Sequence, residues 1–122
     1  MAWVAQSPES YENEVVGNGQ CVAFVQKASG APLTSSWTKG ALAKNSHIAK
    51  GTAIATFDPD GSYGNHTDGR SHAAIFVEQQ SAGLLVWDQW VGHPVSQRVI
   101  RFRNGSGKPV NDGDQFYVIE QA

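Results

Sequence analysis

One cysteine and four histidines are the side chains able to run nucleophilic chemistry here, and their settings differ sharply. Cys21 stands in "GNGQCVAF", behind two glycines and an amide and ahead of an apolar run. A cysteine in the first turn of a helix meets the positive end of the helix dipole and unpaired backbone N–H groups, and both favour thiolate over thiol. Gly17 and Gly19 remove bulk in front of it, so a carbonyl can approach the sulfur while the Cys21 N–H receives the developing oxyanion. Unpaired cysteines are also among the most buried residue types, and most only pack. A nucleophilic role therefore requires a base within hydrogen-bond reach.

His47, in "KNSHIAKG", reads as a solvated loop residue. His66 lies in the polar stretch "DPDGSYGNHTDGRS" (58–71), without a second metal ligand at a recognisable spacing, and His93 beside Pro94 reads as a turn residue. His72 opens the apolar strand "HAAIFV" on the face of Ala74 and Phe76, so a rigid element holds its imidazole at a sheet rim. Across the "EQQSAG" hairpin, a turn centred between Gln80 and Ala82 sets His72 opposite a position between Asp88 and Gly92. Asp88 is then its direct or diagonal same-face neighbour. It alternates with Leu84 and Val86, and a carboxylate on an apolar face needs a partner. Gln89 could orient the imidazole without the charge; Glu78 lies too far along the strand.

The elements that must position these groups follow from periodicity. Cys21, Phe24, Val25 and Ala28 form the stripe of an amphipathic helix, with Asn18 as its N-cap and Gly30 and Pro32 as its stop. A second short helix is expected in "TSSWTKGALAK", capped by Ser35 or Ser36, although Gly40 weakens it. Five runs of strand length follow at 51–57, 71–79, 83–90, 96–102 and 114–121. Short connections favour antiparallel pairing, and helices before strands predict an α+β fold with the Cys21 helix packed on a curled sheet of five strands. A polar loop as long as 58–71 is often functional in a small domain.

The chain has 122 residues and a net charge of −2 without a block of either sign, so a single domain is expected over 1–122 and nucleic acid is not an expected partner. No apolar window is long enough to span a membrane, and "MAWVAQSPES" lacks the pattern of a secretory signal. Synthesis in the cytoplasm and action elsewhere would then require a non-classical route. One cysteine closes no internal disulfide and builds no thiolate zinc site.

Together these residues carry a family resemblance. "GNGQCVAFVQ" is similar to the Gly-Gln-Cys opening of CHAP domains, the cysteine and histidine-dependent amidohydrolase/peptidase group of the papain-like superfamily. "GTAIATF", "SHAAIFV" and "LLVWDQW" resemble, in order, the glycine-led strand, the histidine strand and the strand of the third residue. The resemblance spans residues 17–90, and the short length is similar to small bacterial amidase-like proteins and type VI secretion amidase effectors. It implies a cysteine amidase acting on peptidoglycan peptides, with Cys21 as nucleophile, His72 as base and then acid, and Asp88 third. The larger family commonly has Glu followed two residues later by Asn at that place, so Asp88 and Gln89 both remain candidates. Gln20 is expected as an oxyanion donor or a loop-fixing residue, and Trp87, Trp90 and Tyr63 as borders of a substrate groove. No cofactor is implied. Some CHAP domains bind calcium through Asp-rich loops, but a turn explains "DPDG" equally well. A toxic amidase further implies an inhibitor (immunity) protein in its producer.

Two other functions fit the same residues. One is a protein glutamine deamidase or transglutaminase-like toxin, which uses the same Cys-His-Asp chemistry. The other is a non-catalytic module that binds wall fragments or a partner protein, with an unreactive thiol.

Overall fold

A computed structural model describes residues 1–121. Its frame is an antiparallel sheet of six strands: β1 (Thr38–Leu42), β2 (Ala53–Thr56), β3 (Ala73–Gln79), β4 (Gly83–Trp90), β5 (His93–Arg101) and β6 (Phe116–Glu120). Their order across the sheet is β1-β6-β2-β3-β4-β5, so β3 and β4 lie inside it, bonded on both edges. A single α-helix occurs among the described residues, α1 (Cys21–Ser29), and it packs on β3 and β4.

The α+β class holds, while the second helix does not. "TSSWTKGALAK" forms a 3-10 turn at Thr34–Ser36 and then β1, which pairs with β6 as a sixth strand. Gly40 explains the reversal: a Cβ there would stand 2.8 Å from the Val118 carbonyl oxygen, so the glycine permits a close approach of two backbones. The helix start also differs. Its N-cap is Gln20 rather than Asn18, whose Oδ1 accepts from the Gln20 N–H at 3.0 Å. Gly30 ends the helix in the left-handed region at φ 80°, as a C-terminal glycine should.

Each face of the sheet carries its own core. On the helix side Phe24 and Val25 pack with Ala53, Ala55, Ala73, Ile75, Trp87, Val95 and Ile119. The small residues of β2 and β3 leave room for the helix to lie close. Behind the sheet, Ile54, Ala74, Phe76, Leu84, Val86, Ile100 and Phe116 form a second cluster under Ala43, Ile48 and Phe102. This period-2 division sends Asp88 and Gln89 to opposite faces.

Candidate active site

The register of β3 on β4 pairs Ile75 with Trp87 and Phe76 with Val86. Continued three residues along each chain, it sets His72 across from Trp90, with Asp88 as the diagonal same-face neighbour. The His72 and Trp90 rings meet edge-on at 6.5 Å, and His72 Nε2 lies 2.8 Å from Asp88 Oδ2. Backbone bonds hold the imidazole from β2: the His72 N–H donates to Thr56 Oγ1 at 3.0 Å, and the His72 carbonyl accepts from the Thr56 N–H at 3.0 Å. With Nε2 committed to the carboxylate, Nδ1 is the ring nitrogen left for the thiol.

Cys21, at the first helical position, lies half-buried beside this imidazole, in the same open cleft of about 610 Å³. Burial by itself would raise its pKa. The hydrogen bond and charge of His72 outweigh that, helped by a backbone bond from Ala73 and by Tyr63, and the thiol falls below its ordinary value. On His72 burial opposes the charged form, yet Asp88 and Cys21 push its pKa up to about 9. Opposite shifts on contacting groups favour a thiolate–imidazolium pair near neutral pH. Tyr63 places its hydroxyl 3.9 Å from Cys21 Sγ. Burial and the neighbouring Cys21 hold the phenol protonated, so it donates to the sulfur.

Asp88 is fully buried, and its Oδ2 also accepts from Arg98 Nε at 2.8 Å. Arg98 was absent from the sequence reading. The signal was present, since β5 pairs Ser96 with Asp88 and puts Arg98 at the diagonal same-face position. The β4–β5 hairpin thus places Arg98 beside Asp88 by the same register rule that places Asp88 beside His72 across β3 and β4.

Gln89 is not the third member. It faces the helix side, where its Oε1 accepts from the Val16 N–H at 3.0 Å and its Nε2 donates to the carbonyls of Val16 (2.9 Å) and Gln20 (2.8 Å). It therefore fixes the loop that delivers Cys21 to the rim. The Gln20 side chain is exposed and lines the cleft. Trp87 does not line this cleft: it is 8% exposed within the helix-side core. Trp90, 40% exposed, does line the cleft and stacks on His93 at 4.0 Å; His93 begins β5 rather than sitting in a turn.

The loop 58–71 makes one wall through Tyr63, Asn65, His66, Thr67, Gly69 and Ser71. Its "DPDG" start is a turn in which the Gly61 N–H donates to the Asp58 carbonyl at 2.8 Å and Asp60 caps Ser62. Asp58 pairs with His66 at 2.8 Å. Among the described residues, no three His, Cys, Asp or Glu side chains gather into a metal site. Val110 and Asn111 extend this wall: the Val110 N–H donates to the Gly69 carbonyl at 3.2 Å, and the segment is tied down by the buried Asp112, which accepts the N–H groups of Arg103, Gly105 and Asp114. No helix of the described residues is long and apolar enough to cross a membrane.

A cleft in which a helix-start thiol meets a carboxylate-held imidazole is the equipment of an amide-cleaving cysteine hydrolase, and the relatives of the chain are named as amidases. The family model described as domesticated amidase effector 2 matches residues 2–119, and the chain belongs to that family. It is 41% identical to domesticated amidase effector 2 of Ixodes scapularis, over 86% of this chain and 73% of the relative. It is 37% identical to the type VI secretion amidase effector 2 protein of Salmonella typhi, over 89% of this chain and 91% of the relative. The solved structure of a type 6 secretion amidase effector 2 superposes with a TM-score of 0.82 at 32% identity, covering 98% of this chain and 95% of that one.

Proposed function

We propose that the whole chain works as one catalytic domain of the CHAP-like, papain-like kind, hydrolysing amide bonds of bacterial peptidoglycan peptides through Cys21, His72 and Asp88. The observation that carries this is the buried 2.8 Å His72–Asp88 bond, aimed from the rim at a thiol whose pKa the same imidazole lowers. The Cys21 thiolate attacks the amide carbonyl carbon. The resulting oxyanion is received by the Cys21 N–H, free at the first turn of α1, and by the side-chain amide of Gln20. The His72 imidazolium passes its proton to the departing nitrogen, the C–N bond breaks, and a thioester remains. Water then attacks that thioester while His72 takes up one of its protons, and thiolate and imidazolium are restored.

Asp88 holds Nε2 and stabilises the imidazolium, which keeps Nδ1 toward the sulfur. The paired shifts on Cys21 and His72 favour this reading over a binding module, whose thiol has no need of an imidazole. The named secretion effector among the relatives supports delivery by a secretion route and action outside the cytoplasm, in the periplasm or beyond. A producer of such an enzyme needs an inhibitor protein that plugs the cleft.

Incubating peptidoglycan with the protein and with Cys21→Ala, and reading the products by mass spectrometry, tests the proposal. Amine and carboxylate ends appearing with the active protein alone are expected. Ammonia from protein glutamine, with intact wall peptides, would instead favour the deamidase.

A further inference from the structure

We infer that Arg98 selects the substrate: its outer guanidinium nitrogens take a carboxylate on the amine side of the scissile bond, so the preferred leaving amine belongs to an anionic residue. This rests on the amidase reading above and adds what the cleft recognises.

Arg98 uses its Nε on Asp88, and among the described residues its two Nη groups have no hydrogen-bond partner. The side chain is 27% exposed, lines the cleft, and lies with Cζ 5.0 Å from the centre of the Trp90 ring. Two anchors, a buried carboxylate and an aromatic face, thus fix the plane of the fork while its outer edge faces solvent. A fixed guanidinium edge is the donor pattern that matches a carboxylate bidentately.

Charge in the cleft points the same way. None of the side chains lining it is Asp or Glu, whereas Arg98 is a cation and the His72 imidazole has its pKa pushed up to about 9. The carboxylates nearby, Asp88 and Asp58, are turned to His72 and His66.

The side of the scissile bond follows from the proton transfer. His72 must reach the departing nitrogen, so the amine half of the substrate lies against the imidazole. His72 Nε2 and Arg98 Nε each stand 2.8 Å from one oxygen of Asp88, hence no more than twice that distance apart. The other direction is chemically different. A second hollow shares Gln20 and Asn65 with the first and continues past the helix along Asn18, Ala23, Gln26 and Leu33, without a charged side chain. The acyl half meets amides and apolar groups there, and the amine half meets Arg98.

The test uses two peptides of identical sequence that differ only in whether the residue donating the scissile nitrogen carries a free carboxylate or its carboxamide. The expected wild-type kcat/KM favours the free acid by about tenfold or more, the range of a charge-assisted bidentate contact. Arg98→Gln lowers both rates through Asp88, but the ratio falls to within about twofold of unity, and Arg98→Lys recovers part of it. Binding of the two corresponding amine products to Cys21→Ala supplies the same comparison without catalysis or a change at Arg98. Equal wild-type rates with equal product binding overturn the role of Arg98 and leave the amidase reading intact, as does Arg98→Gln with an undiminished ratio. Failure to cleave either peptide, together with a Cys21 that resists iodoacetamide, overturns both.

Discussion

Two His–Asp pairs face one cleft, and distance does not distinguish them. His72 meets Asp88 at 2.8 Å, and His66 meets Asp58 at 2.8 Å. Burial and the commitments of the second ring nitrogen do. The side chains of His72 and Asp88 are 7% and 0% exposed, those of His66 and Asp58 27% and 24%. Nδ1 of His66 lies 3.1 Å from Arg70 Nη2, leaving that ring no nitrogen for a reacting group, whereas Nδ1 of His72 is left to the thiol. The first pair bridges two interior strands, while the second closes a loop. A catalytic dyad is therefore recognised by a rigid, dry setting and a free nitrogen aimed at a nucleophile, not by the short contact itself.

Substitution should separate the pairs widely. His72→Ala is expected to lower kcat/KM by about 10³-fold or more, since it removes both base and acid. Asp88→Asn keeps the shape and loses the charge, and should lower kcat by about 10²–10⁴-fold. It should also move the alkaline limb of the pH–rate profile. In the wild type, activity should fall as pH rises through about 9, where His72 loses its proton. With the Asp88 charge gone, the imidazole deprotonates earlier and the limb shifts toward lower pH; an unmoved limb would separate Asp88 from the titration.

Stability should follow the same contrast. Asp88→Ala leaves Arg98 and the buried His72 without their carboxylate and is expected to cost about 3–5 kcal/mol in urea unfolding. Asp58→Ala, at a part-exposed pair, should cost about 1 kcal/mol or less. The wild-type imidazole adds a pH dependence of known sign. Its folded pKa lies above the ordinary 6.5, so its stabilising share is full below about pH 6.5 and is lost as pH rises through about 9. The smallest effect belongs to His66→Ala, where kcat/KM should change by less than about tenfold because a wall contact and not a proton carrier is lost. A drop as large as that of His72→Ala would erase the distinction between the pairs.

What was legible in the sequence was whatever local periodicity and hairpin arithmetic control. Alternation along β4 and the short turn to β3 bring Asp88 within reach of His72 from sequence alone, because a register slip would turn the apolar face outward, although they leave Gln89 as an alternative. A bulge between Phe76 and Glu78 shifts the pairing nearer the turn, beyond the site. Non-local effects stayed hidden. Gly40 weakened a helix in the sequence reading, and only the approach of β6 shows it to be a strand glycine. Gln89 read as a substitute for Asp88 because adjacency in sequence says nothing of the loop that folds over the opposite face. Trp87 read as a groove residue for the same reason, since strand parity assigns it to the helix-side core. The pairing of the 58–71 loop with itself, through His66 and Asp58, has no periodic signature at all.

The contact between thiol and imidazole is the claim on which the amidase reading stands, and the rate of Cys21 alkylation by iodoacetamide against pH measures it directly. The wild-type protein should react as a thiolate below pH 9, and His72→Ala should move that reactivity to higher pH, because only the Ala73 and Tyr63 hydrogen bonds then oppose burial. Superimposable profiles for the two proteins would contradict the account.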